Sequence, residues 1–144
     1  MHANMKSVEM EKMKIRFSTL WIFAMFNYLY ADVLGLMHAK NLEAFLSGYV
    51  GDMQLTDEFM LVGAILMETA IVMVLFSRIL PYRANRWANI FSGALHTLAV
   101  AGSMSVGDEV EPYYMFMATI EIICTLYIVW AAWNWRNTDA ETAS

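Results

Sequence analysis

The chain has 144 residues, of which 59% are hydrophobic, 14% aromatic and only 16% charged, with a formal net charge of −5. That is too apolar for an ordinary soluble domain of this length, and with no basic stripe interleaved with aromatics the negative balance excludes a nucleic-acid partner. One cysteine, Cys124, excludes an internal disulfide and a CxxC redox pair.

Residues 1–16 are polar and mixed in charge, and no small-residue cleavage site closes the apolar run after them. They are therefore expected to form a cytoplasmic segment, and the first span to stay in the protein as its own insertion signal. Four apolar stretches follow, at 17–37, 59–80, 87–106 and 113–133. A bilayer core about 30 Å thick takes about 20 helical residues to cross, so each qualifies by length. The expected fold is all-α, an integral membrane four-helix bundle over residues 17–136.

The links differ on the two sides. Pro81 ends the second span and opens a tight turn to the third. Residues 38–58 form the one long loop, where Asn41 is positioned to cap a short helix over 42–46, with Gly48 and Gly51 to end it. That helix would cover the bundle mouth. The tail at 137–144 is polar and expected to be disordered.

Charge sets the topology. Lys6, Lys12, Lys14, Arg16, Arg78, Arg83, Arg86 and Arg136 fall on one side of the four spans, and only Lys40 falls on the other. The positive-inside rule then puts both termini in the cytoplasm, as for a bacterial inner-membrane protein. The outer loops carry Glu43, Asp52, Asp57, Glu58, Asp108, Glu109 and Glu111. The five tryptophans (Trp21, Trp87, Trp130, Trp133, Trp135) all lie near the cytoplasmic interface and read as an aromatic belt, with Tyr113 and Tyr114 at the outer one.

Each span holds an ionisable residue well inside it: Asp32, Glu68, His96 and Glu121. A charge at that depth costs about 2.5–3.5 kcal/mol for Asp, Lys or Arg even on the lenient insertion scale. With the spans alternating in direction, all four sit roughly 8–15 Å below the outer boundary. Each has small or polar companions one turn away. Asn27 and Tyr28 accompany Asp32, Ala64 precedes Glu68, Ser92 and Ala99 flank His96, and Ala118 and Thr125 flank Glu121. Such companions mark the contact face of a membrane helix. A shared polar centre of Asp32, Glu68, His96 and Glu121, with Asn27 and Tyr28 alongside, is the expected ligand- or proton-binding site. Its members would titrate as a coupled unit. The competing reading makes these groups interhelical glue.

Three carboxylates and an imidazole would suit a metal by ligand type, yet the Glu-x-x-His pairs of carboxylate-bridged bundle sites are missing. No metal is expected, the thirteen methionines read as apolar filler, and no nucleophile stands beside a base. A faint internal repeat aligns residues 61–76 with 114–129 and sets Glu68 on Glu121.

Particular motifs carry a family resemblance. Leu20-Trp21-Ile22-Phe23 with Asn27 and Ala31-Asp32, Met67-Glu68 before Leu75-Phe76-Ser77-Arg78-Ile79-Leu80, Asn85-Arg86-Trp87-Ala88-Asn89-Ile90, and Ile120-Glu121 leading to Ala132-Trp133 are similar to small bacterial membrane proteins of the DoxX-like superfamily. The resemblance covers residues 15–136. It implies the four-helix fold, permits quinone-linked oxidation and carries over no catalytic residue. The expected function is proton-coupled binding or movement of a small apolar or ionic species. The alternatives are a membrane-embedded acid–base or quinone-linked enzyme and an accessory subunit of a membrane complex. Expected partners are lipids and a second copy or another membrane subunit.

Overall fold

The computed structural model describes residues 2–50, 53–105 and 110–135, with side chains from residue 7 onward. The expected tail at 137–144, and Lys6, Gly51, Asp52, Asp108, Glu109 and Arg136 from the charge and loop arguments, lie outside the described residues or side chains.

Five helices and one small hairpin follow in order: α1 (His2–Met37), α2 (Ala39–Ser47), β1 (Tyr49–Val50), β2 (Met53–Gln54), α3 (Asp57–Ile79), α4 (Tyr82–Ser103) and α5 (Pro112–Asn134). The expected cytoplasmic segment is thus the start of α1, which runs unbroken for 36 residues, roughly 54 Å. Local chemistry fixes the joints. Thr56 accepts the Phe59 N–H on its side-chain oxygen at 3.2 Å and caps α3, with Asp57 and Glu58 in the first turn against the positive helix end. Leu80, held extended by the following Pro81, ends α3, and α4 starts two residues later. Pro112 opens α5 in the first helical position, where no N–H is needed. Gly48 ends α2 with φ +81°, its N–H reaching Ala44 O and Phe45 O, a conformation glycine takes without strain.

Asn41 does not cap α2. His38 holds that position, and Asn41 sits inside the helix, donating from Nδ2 to Tyr113 Oη at 3.1 Å. The bond ties α2 to the start of α5. Beyond Gly48, β1 and β2 pair antiparallel, Tyr49 with Gln54 and Val50 with Met53.

The four long helices pack as a ring. α1 touches α3 and α5, and α4 touches the same two, so α1 and α4 face each other across the centre. The inward residues repeat at spacings of three and four: Phe17, Trp21, Ala24, Tyr28 and Ala31 on α1, Ala70, Met73 and Ser77 on α3, and Ala118, Glu121, Thr125, Ile128 and Ala132 on α5. That period keeps one seam of each helix toward its neighbours. The outside is reversed from a water-soluble protein. Phe26, Leu29, Leu61, Val62, Phe91, Leu98, Phe116 and Ile123 are all exposed, far more apolar surface than soluble monomers leave uncovered.

Among the described residues three helices are long and apolar enough to cross a membrane: the Ser7–Met37 part of α1, then α3 and α5. The expected third span, 87–106, corresponds to α4, which has the length but not the composition. Arg83, Asn85, Arg86, Asn89 and His96 lower its hydropathy, and Asn85, Asn89 and His96 are fully enclosed. Its polarity points inward.

α4 and α5 lie closest. A Cβ added to Gly93 would stand 2.8 Å from Val129 Cγ2 and 3.2 Å from Thr125 O, so only glycine fits this crossing without displacement. Gly102, farther along the same helix, has nothing within 4 Å of such a Cβ.

Candidate functional site: an acidic cavity above a buried polar column

Polar groups descend through the ring in three tiers. At the base, near the α3–α4 turn, Asn89 Oδ1 accepts the Trp21 indole N–H at 2.8 Å and, at 3.4 Å, the Ser77 hydroxyl. Asn89 Nδ2 donates to Asn85 Oδ1 at 2.7 Å, and Asn85 Nδ2 to Ser77 O at 2.6 Å. This joins α1, α3 and α4 through side chains that are all 0% exposed. Trp21 is therefore no interfacial anchor. Its ring fills the gap between α1 and α4, and Trp135 is likewise buried, edge-on to Tyr82, whose hydroxyl donates to Trp135 O at 2.6 Å. Only Trp87, Trp130 and Trp133 face outward as a belt requires.

The middle tier holds His96, Tyr28 and Glu121. Thr69 gives its one hydroxyl proton to Leu66 O at 2.7 Å, so at 2.9 Å it receives the His96 Nε2–H. This leaves Nδ1 of a neutral imidazole as acceptor. The Trp21 and Tyr28 rings lie 5.4 Å and 5.5 Å from the His96 ring. Glu121 is 4% exposed, its Oε1 has no hydrogen-bond partner, and the Tyr28 hydroxyl is buried without one as well. Buried polar atoms are seldom left so, which makes this pair the most conspicuous chemical feature of the interior.

The upper tier is a cavity of about 470 Å³ between the C-terminal end of α1 and the N-terminal end of α5, roofed by α2 and the hairpin. Asp32 lines it from α1, Glu111, Tyr113 and Tyr114 from the start of α5, and Asn41 and Phe45 from the roof. Tyr114 shares a 2.6 Å hydrogen bond with Ser103, and Glu111 stands 3.9 Å from His38. Asp32 is exposed at the wall and within electrostatic range of Glu121, which is within range of Tyr28 and Tyr114. Among the described residues the lining is largely apolar, two carboxylates and four aromatic rings stand in it, and no lysine or arginine does.

The six expected site residues divide accordingly. Tyr28, Asp32, His96 and Glu121 occupy the cavity wall and the column beneath it. Asn27 is half-buried and bonds back to Phe23 O of its own helix at 2.9 Å. Glu68 departs from the expected convergence. The buried stripe of α3 runs through Ala70, Met73 and Ser77, and two residues from Ala70 is more than half a turn away, so Glu68 is exposed on the opposite face. The internal repeat is accordingly not a repeat of facing, since Glu121 points in and Glu68 out. Ser77, Asn85 and Asn89 escaped the sequence reading, although Asn85 and Asn89, four apart beside the Pro81 turn, were visible as polar residues stacked on one helix face.

Among the described residues no three His, Cys, Asp or Glu side chains gather as a metal site requires. Comparison with curated proteins and with solved structures gave no match. Residues 5–142 match a family of unknown function, DUF6326, and over that span, nearly the whole chain, the protein belongs to it.

Proposed function

We propose that the chain is a four-span protein of the bacterial cytoplasmic membrane, both termini inside, that binds and moves a small amphiphilic cation coupled to protons. Three apolar helices and the basic side of the chain support the topology. For α4 the support is that its asparagines and histidine bond to Trp21 of α1 and to Thr69 and Ser77 of α3, which removes the penalty of presenting them to lipid. The observation that carries the functional reading is an acidic, aromatic cavity standing over two buried polar atoms without partners. A positive group suits Asp32 and the faces of Tyr113 and Tyr114, an apolar body suits Phe45 and Phe59, and Glu121 is the deeper carboxyl for proton exchange.

The test is binding of tetraphenylphosphonium to the purified full-length protein, followed by native mass spectrometry of protein drawn gently from its source membrane. Saturable binding that Asp32→Asn weakens at least tenfold supports the reading. Equal binding of a neutral or anionic amphiphile of the same size refutes it. The pairing of Tyr28 and His96 favours a second reading, an acid–base or quinone-linked enzyme acting on an apolar substrate, as a DoxX-like relationship permits. Turnover that requires His96, without ion movement in liposomes, selects that one.

A further inference from the structure

We infer that the outward face of α3 is the contact between two copies of this chain, with Glu68 paired to Glu68 of the second copy. The inference rests on the membrane reading above. Glu68 lies eleven residues from each end of the 23-residue α3, so it stands at mid-depth, about 16 Å from either end. It is exposed, and so are its stripe neighbours Leu61, Ala64, Ile65, Ile71 and Leu75. A carboxyl there is too deep to reach either aqueous boundary and faces hydrocarbon unless another protein surface covers it.

Depth and chemistry select the second copy. Copies inserted with one orientation all carry Glu68 at one depth, and a twofold axis normal to the membrane brings a residue against itself. The described arginines and lysines lie in the N-terminal half of α1 no further than Arg16, beside the α3–α4 turn, or in α2, so a copy offers no opposite charge at that level. A protonated carboxyl is both donor and acceptor and complements its twin. Approach is open as well. Ala64 lies one turn from Glu68 on the same stripe and is itself exposed. Small residues beside a polar one are what a close helix contact in lipid uses. α3 is also the most apolar of the three candidate spans and the least covered by the rest of the chain.

Cysteine cross-linking of the full-length chain in its native membrane, in a Cys124→Ser background, tests this. Ile65→Cys and Leu75→Cys should form dimers on oxidation, whereas Phe91→Cys on α4 and Ile123→Cys on α5 should not. Glu68→Leu should lower the Ile65→Cys dimer yield at least fivefold, and Glu68→Gln, which still donates and accepts, should retain it. Dimer yield on α4 or α5 equal to that on α3 overturns the inference. So does an undiminished yield with Glu68→Leu, or a cross-linked product whose mass is not twice that of the chain. Extraction of the protein by alkaline carbonate would refute the membrane reading itself, separately from the contact.

Discussion

Removing the Asn89 side chain should destabilise the protein chiefly through one identifiable bond. Asn89→Leu keeps the volume but strands the Trp21 indole N–H, which has its acceptor at 2.8 Å, and removes both the weaker 3.4 Å bond from Ser77 and the 2.7 Å bond given to Asn85 Oδ1. Hydrogen bonds between membrane helices average about 0.6 kcal/mol and reach about 1.7 kcal/mol. Trp21 is fully enclosed and its bond short, which places it in the upper part of that range, at about 1.5 kcal/mol. With about 0.5 kcal/mol each for the Ser77 and Asn85 bonds, Asn89→Leu should cost about 2.5 kcal/mol. Trp21→Phe should cost less, because Asn89 still accepts from Ser77. The decisive quantity is the coupling between the two changes. Measured by reversible unfolding in mixed micelles, the double-mutant cycle should give a coupling of about 0.6–1.7 kcal/mol. Strict additivity, with coupling below about 0.3 kcal/mol, would refute the claim that this bond joins α1 to α4. The indole N–H itself should also exchange with deuterium at the slow, global rate in the parent and rapidly in Asn89→Leu.

Gly93→Val should destabilise by about 1–3 kcal/mol in the same unfolding assay, since the added carbons collide with Val129 and with the Thr125 carbonyl, whereas Gly102→Val should be nearly silent. Gly48→Ala forces a Cβ onto φ +81°, at about 1 kcal/mol, and should raise amide exchange across α2 without lowering global stability. Glu121→Gln should leave tetraphenylphosphonium affinity within about threefold but abolish the pH dependence of its uptake into liposomes, because in the proposed function the cation sits against the cavity carboxyls Asp32 and Glu111 and Glu121 exchanges the proton. Retained pH dependence would assign the proton to another group.

Much of this architecture is legible in the sequence because hydropathy and turn residues report directly on it. The apolar runs of α1, α3 and α5, the stop at Pro81 and the αL glycine at 48 need no tertiary information. Facing is harder. Glu68 and Glu121 look alike in their local sequences, and what separates them is the seam, Ala70, Met73 and Ser77 against Ala118, Thr125 and Ile128. Reading Ala70 and Ser77 as the seam, in place of the nearer Ala64, would have turned Glu68 outward. Trp21 misled because indoles prefer the headgroup level, and its buried partner Asn89 lies 68 positions away in the chain. The short helix over the mouth was legible, but its tie to α5 was not: Asn41 is an ordinary cap candidate until Tyr113, 72 residues later, offers it a hydroxyl.

The inward polarity of α4 has a consequence for how the chain is made. On emerging from the ribosome α4 presents Arg83, Asn85, Arg86, Asn89 and His96 before α5 exists, and alone it would partition poorly into lipid. Once synthesised, α5 supplies the close seat at Gly93, the Thr97–Thr125 hydroxyl contact at 2.7 Å, and carbonyls of its last turn for Arg86. The two helices should therefore enter the bilayer as a hairpin during biogenesis. A nascent chain truncated ahead of residue 112 should leave α4 accessible to membrane-impermeant reagents, and extension through residue 135 should protect it.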